Sequence, residues 1–176
     1  MKEHNPIQVL MDEHEVISST ESIIQSLDKS WEIDENSYAE KVKQLLVFFK
    51  EYSDGFHHRK EEDVLFKELN KHPDFKLQDI ITELEEHHQG FRDTVVKIAE
   101  TLGKREWART QDLLTRYVDD LLNHIAVEND ELFIIAESVF SEEELERMFY
   151  NFEDIESQLG KDHKIELVNR LKAVQS

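Results

Sequence analysis

His57 and Glu61 stand four residues apart in the stretch FHHRKEEDVLF, and His124 and Glu128 repeat the spacing, so that both copies read HxxxExxxLF. On a helix, residues four apart project from one face, one turn from each other. A candidate His on the preceding apolar stripe accompanies each copy, His14 before the first and His87 before the second. If these side chains meet inside a fold, the acids are costly, because burying an ionised carboxylate without compensation costs several kcal/mol. A cation removes that cost, since neutral imidazole and carboxylate are its natural ligands. The chemistry on offer is therefore metal binding by His14, His57, Glu61, His87, His124 and Glu128. With no cysteine in the chain, soft metals are disfavoured, and the nitrogen and oxygen donors suit Fe or Mn, with Zn possible. A structural zinc site needs four ligands. Six candidates, two of them carboxylates able to bridge, fit a pair of ions better than one.

To bring these residues together the chain needs long helices. Asn5 and Pro6 suit a helix start, and Ile7, Leu10, Met11, His14, Ile17, Ile24 and Leu27 mark its inward stripe. After a polar stretch, a second helix is expected from about Ser37 to Asn70, its stripe running through Val42, Leu45, Phe49, Tyr52, Phe56, Val64 and Leu65. Gly55 within it either permits close helix approach or relaxes the turn beside His57. His72-Pro73-Asp74 is a clear break. A third helix carries Ile80, Ile81, Leu84, His87, Phe91, Val95 and Ile98. A fourth carries Leu114, Tyr117, Leu121, His124, Glu128 and Leu132. Ser141 with Glu144 forms a capping-box pattern that opens a fifth helix, ended by Gly160, with a sixth from Lys164 to Val174. Each half of the bundle is thus a hairpin with one His on its first helix and HxxxE on its second. The expected fold is all-α: an antiparallel, up-down four-helix bundle over residues 1–140, with a C-terminal helical extension, 141–176, packed on it.

Composition agrees. The 176 residues are 39% hydrophobic and 35% charged, with only four Gly and two Pro, which suits long helices with charged outer faces. The net charge of −19 would repel phosphate backbones and anionic lipid, so neither nucleic acid nor a membrane surface is an expected partner. Absence of cysteine excludes disulfides, thiol catalysis and Fe–S clusters. No long apolar run resembles a membrane span, and the start MKEHNPIQVLMDEHE is too polar for a signal peptide, so the cytoplasm is the expected location. No nucleophilic triad, phosphate-cradling Gly loop or paired-carboxylate hydrolase arrangement is visible.

The order His-x-x-x-Glu differs from the Glu-x-x-His of ferritin-like carboxylate proteins. Instead, PIQVLMDEHEVI around His14, HHRKEEDVLF around His57, EEHHQGF around His87 and NHIAVENDELF around His124 together resemble the hemerythrin-like, HHE cation-binding domain family over about Pro6 to Glu137. The resemblance implies an oxo- or hydroxo-bridged non-haem di-iron centre. His14, His57, His87 and His124 would be terminal ligands and Glu61 and Glu128 bridging ones. Respiratory hemerythrins carry a His pair four apart on the third helix and a fifth His ligand. Here His87 and His88 are adjacent, with Glu83 and Phe91 at the positions four away. That departure implies an iron short of one protein ligand, completed by water, Glu83 or His163. It points to reaction with O2, NO or peroxide rather than simple O2 carriage.

Within this pattern two choices of register arise. His58 and Glu62 repeat the HxxxE spacing one residue on, but the Leu-Phe tail favours His57 and Glu61. The EEH phrase favours His87 over His88. The expected function is a di-iron protein that binds or reacts with a small diatomic or peroxide, in oxidative or nitrosative stress or iron handling. The alternative is an iron-responsive interaction module without catalysis, its acidic surface and terminal helices meeting a protein or redox partner. A metal-free helical bundle is the plainest reading.

Overall fold

The computed structural model describes residues 4–175, and among the described residues all regular structure is helical. The Asn5 side chain accepts from the Ile7 amide (2.9 Å) and Pro6 takes the first helical position, opening α1 (Pro6–Ser18). Helix α2 (Thr20–Ser26) follows after an interruption at Ser19. The polar stretch beyond it contains a short 3-10 turn, Ser30–Glu32, with Lys29 at φ 58°. Asp34 caps α3 (Glu35–Phe48) by accepting from the Asn36 and Ser37 amides.

Past Phe48 the rod changes winding. Phe49–His58 and Glu61–Leu65 are π-helical, and α4 (Phe66–Lys71) completes the rod before the break at Pro73. Helix α5 (Gln78–Gly103) is continuous, and α6 (Trp107–Val127) runs through a π turn, Glu128–Leu132, into α7 (Phe133–Val139). Ser141 and Glu144 form the expected capping box for α8 (Glu142–Leu159). Gly160, at φ 97°, turns the chain into α9 (Lys161–Gln175). The two C-terminal helices run 18 and 15 residues.

These rods bury two separate apolar cores. One contains Ile17, Val42, Leu45, Phe49, Phe56, Phe91, Tyr117 and Leu121. The other contains Leu10, Leu65, Phe66, Leu84, Leu132 and Phe133. Leu167, Leu171 and Val174 of α9 join the first, while Met148, Phe152 and Ile155 of α8 join the second. Full burial of one such side chain stabilises by roughly 1.5–3 kcal/mol, so both terminal helices have strong reason to stay docked. Each rod passes from one core to the other, and at each crossing it carries polar residues. His14 falls between Leu10 and Ile17, and His57 to Glu61 between Phe56 and Val64. His88 falls between Leu84 and Phe91, and Glu128 between Leu121 and Leu132. Consecutive rods cross in alternating order.

Candidate metal centre

In the gap between the cores, seven side chains converge. His14, His57, Glu61 and Glu128 offer ligand atoms within 4.8 Å of one another, and so do His58, Glu61, His88 and His124. All seven are at most 3% exposed. Glu61 belongs to both groups. Its Oε1 lies 3.3 Å from His57 Nε2 and 3.9 Å from His14 Nε2, while its Oε2 lies 3.5 Å from His88 Nε2. Glu128 spans the same gap. Its Oε2 is 3.2 Å from His14 Nε2, and its Oε1 is 3.2 Å from His124 Nε2 and 3.9 Å from His88 Nε2. The Nε2 atoms of His88 and His124 point at each other across 3.0 Å. Each carboxylate thus turns one oxygen to a two-His side and the other to a three-His side.

Both oxygens of Glu61, both of Glu128 and Nε2 of His14 are buried without a hydrogen-bond partner. Buried polar atoms in proteins are nearly always satisfied. A cluster of nitrogen and oxygen ligand atoms enclosed between two apolar cores, with both carboxylates lacking hydrogen-bond partners, fits a cation site.

The outward ring nitrogens are tethered instead. His14 Nδ1 is 2.8 Å from Asn129 Oδ1, and His57 Nδ1 donates to Glu13 Oε2 at 2.9 Å. His88 Nδ1 donates to Glu62 Oε1 at 2.8 Å, and His58 Nδ1 to Asp54 Oδ1 at 3.3 Å. His124 Nδ1 stands 3.4 Å from His87 Nδ1. Such tethers fix ring orientation, and in a neutral ring they set the tautomer that would leave the inward nitrogen's lone pair to a metal ion. Arg92 holds two of the acids at once, donating to Asp54 (2.8 Å) and Glu62 (2.7 Å).

The electrostatics ask for positive charge. Burial works against a charge on His57, yet Glu61 and Glu13 prevail and hold its pKa at about 10. Burial likewise opposes charge on His124, and Glu128 and Glu61 overcome it, so its pKa rises. Glu128 is held well below the usual carboxylate range, since His124 and His14 outweigh its burial. His58 goes the other way: burial and the neighbouring His88 push it well below an ordinary histidine, leaving a neutral imidazole. Protons crowd in where two acids meet, and a metal ion would take their place.

Of the six residues singled out in the sequence, five are brought together here: His14, His57, Glu61, His124 and Glu128. His87 is not among them. It is 44% exposed, one step around the helix from His88, which is fully buried. The buried stripe of α5 explains the choice, for Ile81, Leu84, His88, Phe91 and Ile98 follow three-and-four spacing. That spacing is present in the sequence, where the EEH phrase favours His87 instead. Glu83 is exposed and lies 3.9 Å from His87, and His163 pairs with Glu51 at 2.7 Å on the surface, so neither reaches the cluster.

His58, set aside as a shifted register, is buried together with His57. Successive residues on an α-helix diverge by about 100°, and the wider π winding of Phe49–His58 brings the two rings closer in direction. Asp54 stands one turn before His58, whereas Glu13, Asn129 and Arg92 carry no signal in spacing, because what matters is which side chain of another helix each one faces. Two cavities approach the centre. One of about 660 Å³ is walled by Leu46, Phe49, Phe91 and Tyr117 and reaches His58. Another of about 460 Å³ reaches His87 and His124.

Compared with known proteins, residues 4–136 match the model of the Hemerythrin HHE cation binding domain. No curated protein and no solved structure matches the chain.

Proposed function

We propose, from the premise that this chain belongs to the hemerythrin HHE cation-binding family, that its buried cluster holds two iron ions and serves to bind or react with O2, NO or a peroxide. The observation that carries this reading is the pair of orphaned carboxylates, Glu61 and Glu128, each divided between two groups of histidines. His14 and His57 would hold one ion and His58, His88 and His124 the other, with Glu61 and Glu128 shared. Iron fits the nitrogen and oxygen donor set, as manganese also does. Two iron ions would supply electrons and a coordination position for a small diatomic or peroxide.

The chain's own residues set the conditions for that chemistry. Asn129, Glu13, Asp54, Glu62 and His87 keep the five rings aimed inward. Phe133 stacks on His14 with ring centroids 5.4 Å apart, and Phe66 on His88 at 5.8 Å. Such an apolar shell limits water entry and tunes redox potential. The cavities ending at His58 and at His124 give a small molecule a way in. A role in oxidative or nitrosative stress, or in iron handling, follows from those ligands.

Metal analysis with an optical spectrum of the aerobic protein tests the reading. The expected result is two irons per chain with oxo-bridge charge-transfer bands, and loss of most metal in both Glu61→Ala and Glu128→Ala. Full metal retention in both variants would overturn the shared-carboxylate assignment. Exposing the reduced protein to O2, NO and peroxide then separates catalytic consumption from a stable adduct.

A further inference from the structure

We propose that Lys164 of α9 is a positioning residue for the metal centre, acting on His57 through Glu13. This rests on the reading of the cluster as a metal site and extends it to a part of the chain beyond the matched family region, residues 4–136.

Glu13 divides its two oxygens between two tasks. Oε2 accepts from His57 Nδ1 at 2.9 Å, while His57 Nε2 faces Glu61 at 3.3 Å. Oε1 is held by two ammonium groups, Lys60 and Lys164, the latter at 2.5 Å. Glu156 of α8 closes the ring, accepting from Lys60 at 2.6 Å and from Lys164 as well. Lys60 is fully buried, Glu13 is 3% exposed, and Glu156 and Lys164 are 13% and 18% exposed. Two acids and two lysines balance in charge, in a setting where each desolvated group needs its partners.

A plain staple of the C-terminal helices to the bundle needs no histidine. This cluster has one, because its only oxygen not facing a lysine at Glu13 is the one that receives His57. Four elements (α1, the second rod, α8 and α9) thereby converge on one ring orientation. Removing the Lys164 charge leaves Glu13 with one ammonium, Lys60, instead of two, so the carboxylate is held less firmly and its hold on His57 Nδ1 weakens. Loss of a partner that orients a metal-binding histidine typically lowers metal affinity about 10–100-fold. Lys164 acts at one remove, so the lower end, about tenfold, is expected.

The test compares Lys164→Met, which keeps the stem and removes the charge, with Lys164→Arg, which restores charge, and with Leu171→Ala, which loosens α9 without touching the cluster. Each full-length protein is loaded anaerobically with Fe(II), and retention is measured against a chelator series alongside the melting temperature of the metal-free form. Support would be about tenfold weaker retention in Lys164→Met, recovery in Lys164→Arg, and unchanged retention in Leu171→Ala despite a lower melting temperature. Glu156→Gln gives a second route, since it loosens both lysines while leaving Glu13 and His57 in place, and should weaken retention in the same direction. Wild-type retention in both Lys164→Met and Glu156→Gln would overturn the proposal and leave the metal site standing. A wild-type protein that takes up no Fe(II) would overturn the site itself, and the proposal with it.

Discussion

Alanine at His88 and alanine at His87 should give opposite results. His88 turns Nε2 to within 3.5 Å of Glu61 and 3.0 Å of His124 Nε2, whereas His87 touches the centre only through His124 Nδ1. We expect His88→Ala to lose most iron from the three-His side, and His87→Ala to keep both ions with modestly weaker hold. His58→Ala should behave like His88→Ala, and iron per chain across the three variants checks the ordering. Equal metal in His88→Ala and wild type would remove His88 from the site. The same two residues show what a sequence can disclose. Repetition of HxxxE marks Glu61 and Glu128, because two acids at matched positions on apolar stripes need a common cause. A neighbour such as His88 is legible only if the stripe is counted residue by residue. Glu13 is not legible at all, since its role depends on a lysine 151 residues away.

At the scale of elements, the helix caps and breaks follow from local chemistry: Asn5, Asp34 and Ser141 each accept from the first turn, and Pro73 stops a rod. The π windings have no such marker in the sequence. Each of the shorter ones begins at a shared carboxylate, Glu61 or Glu128, and π turns inside α-helices recur at functional sites. Gly55 lies in the longest of them, but it is not there for close approach. A Cβ at Gly55 would meet Lys50 O at 3.5 Å, an ordinary contact, and its φ is not positive. Gly55→Ala should therefore be accommodated and should stabilise the fold by up to about 1 kcal/mol through lower backbone entropy in the unfolded chain. Thermal melts of the metal-free form test this. A large loss of stability would mean that the π winding itself requires glycine.

For the whole molecule, two sources of electrostatic stress must be kept apart. The surface carries most of a net charge of −19, and repulsion among exposed groups is screened once the Debye length shrinks to a few ångströms at high salt. Glu61 and Glu128 are 0% exposed, beyond the reach of mobile ions, and a cation bound between them would relieve their burial. Salt and metal should therefore act independently. In the metal-free protein, raising NaCl to about 0.5 M should increase the melting temperature by easing surface repulsion. Adding Fe(II) at a hundredfold excess over its dissociation constant should stabilise by about 2.7 kcal/mol for each ion bound, at either salt concentration, as binding to the folded state alone requires. Paired melting curves at low and high salt, with and without Fe(II) under anaerobic conditions, measure both terms. If salt abolished the Fe(II) effect, the stabilising ions would be sitting on the acidic surface and not between the two cores. If the effect survives salt but vanishes in Glu61→Ala, the bundle's polar gap is where the fold and the metal depend on each other.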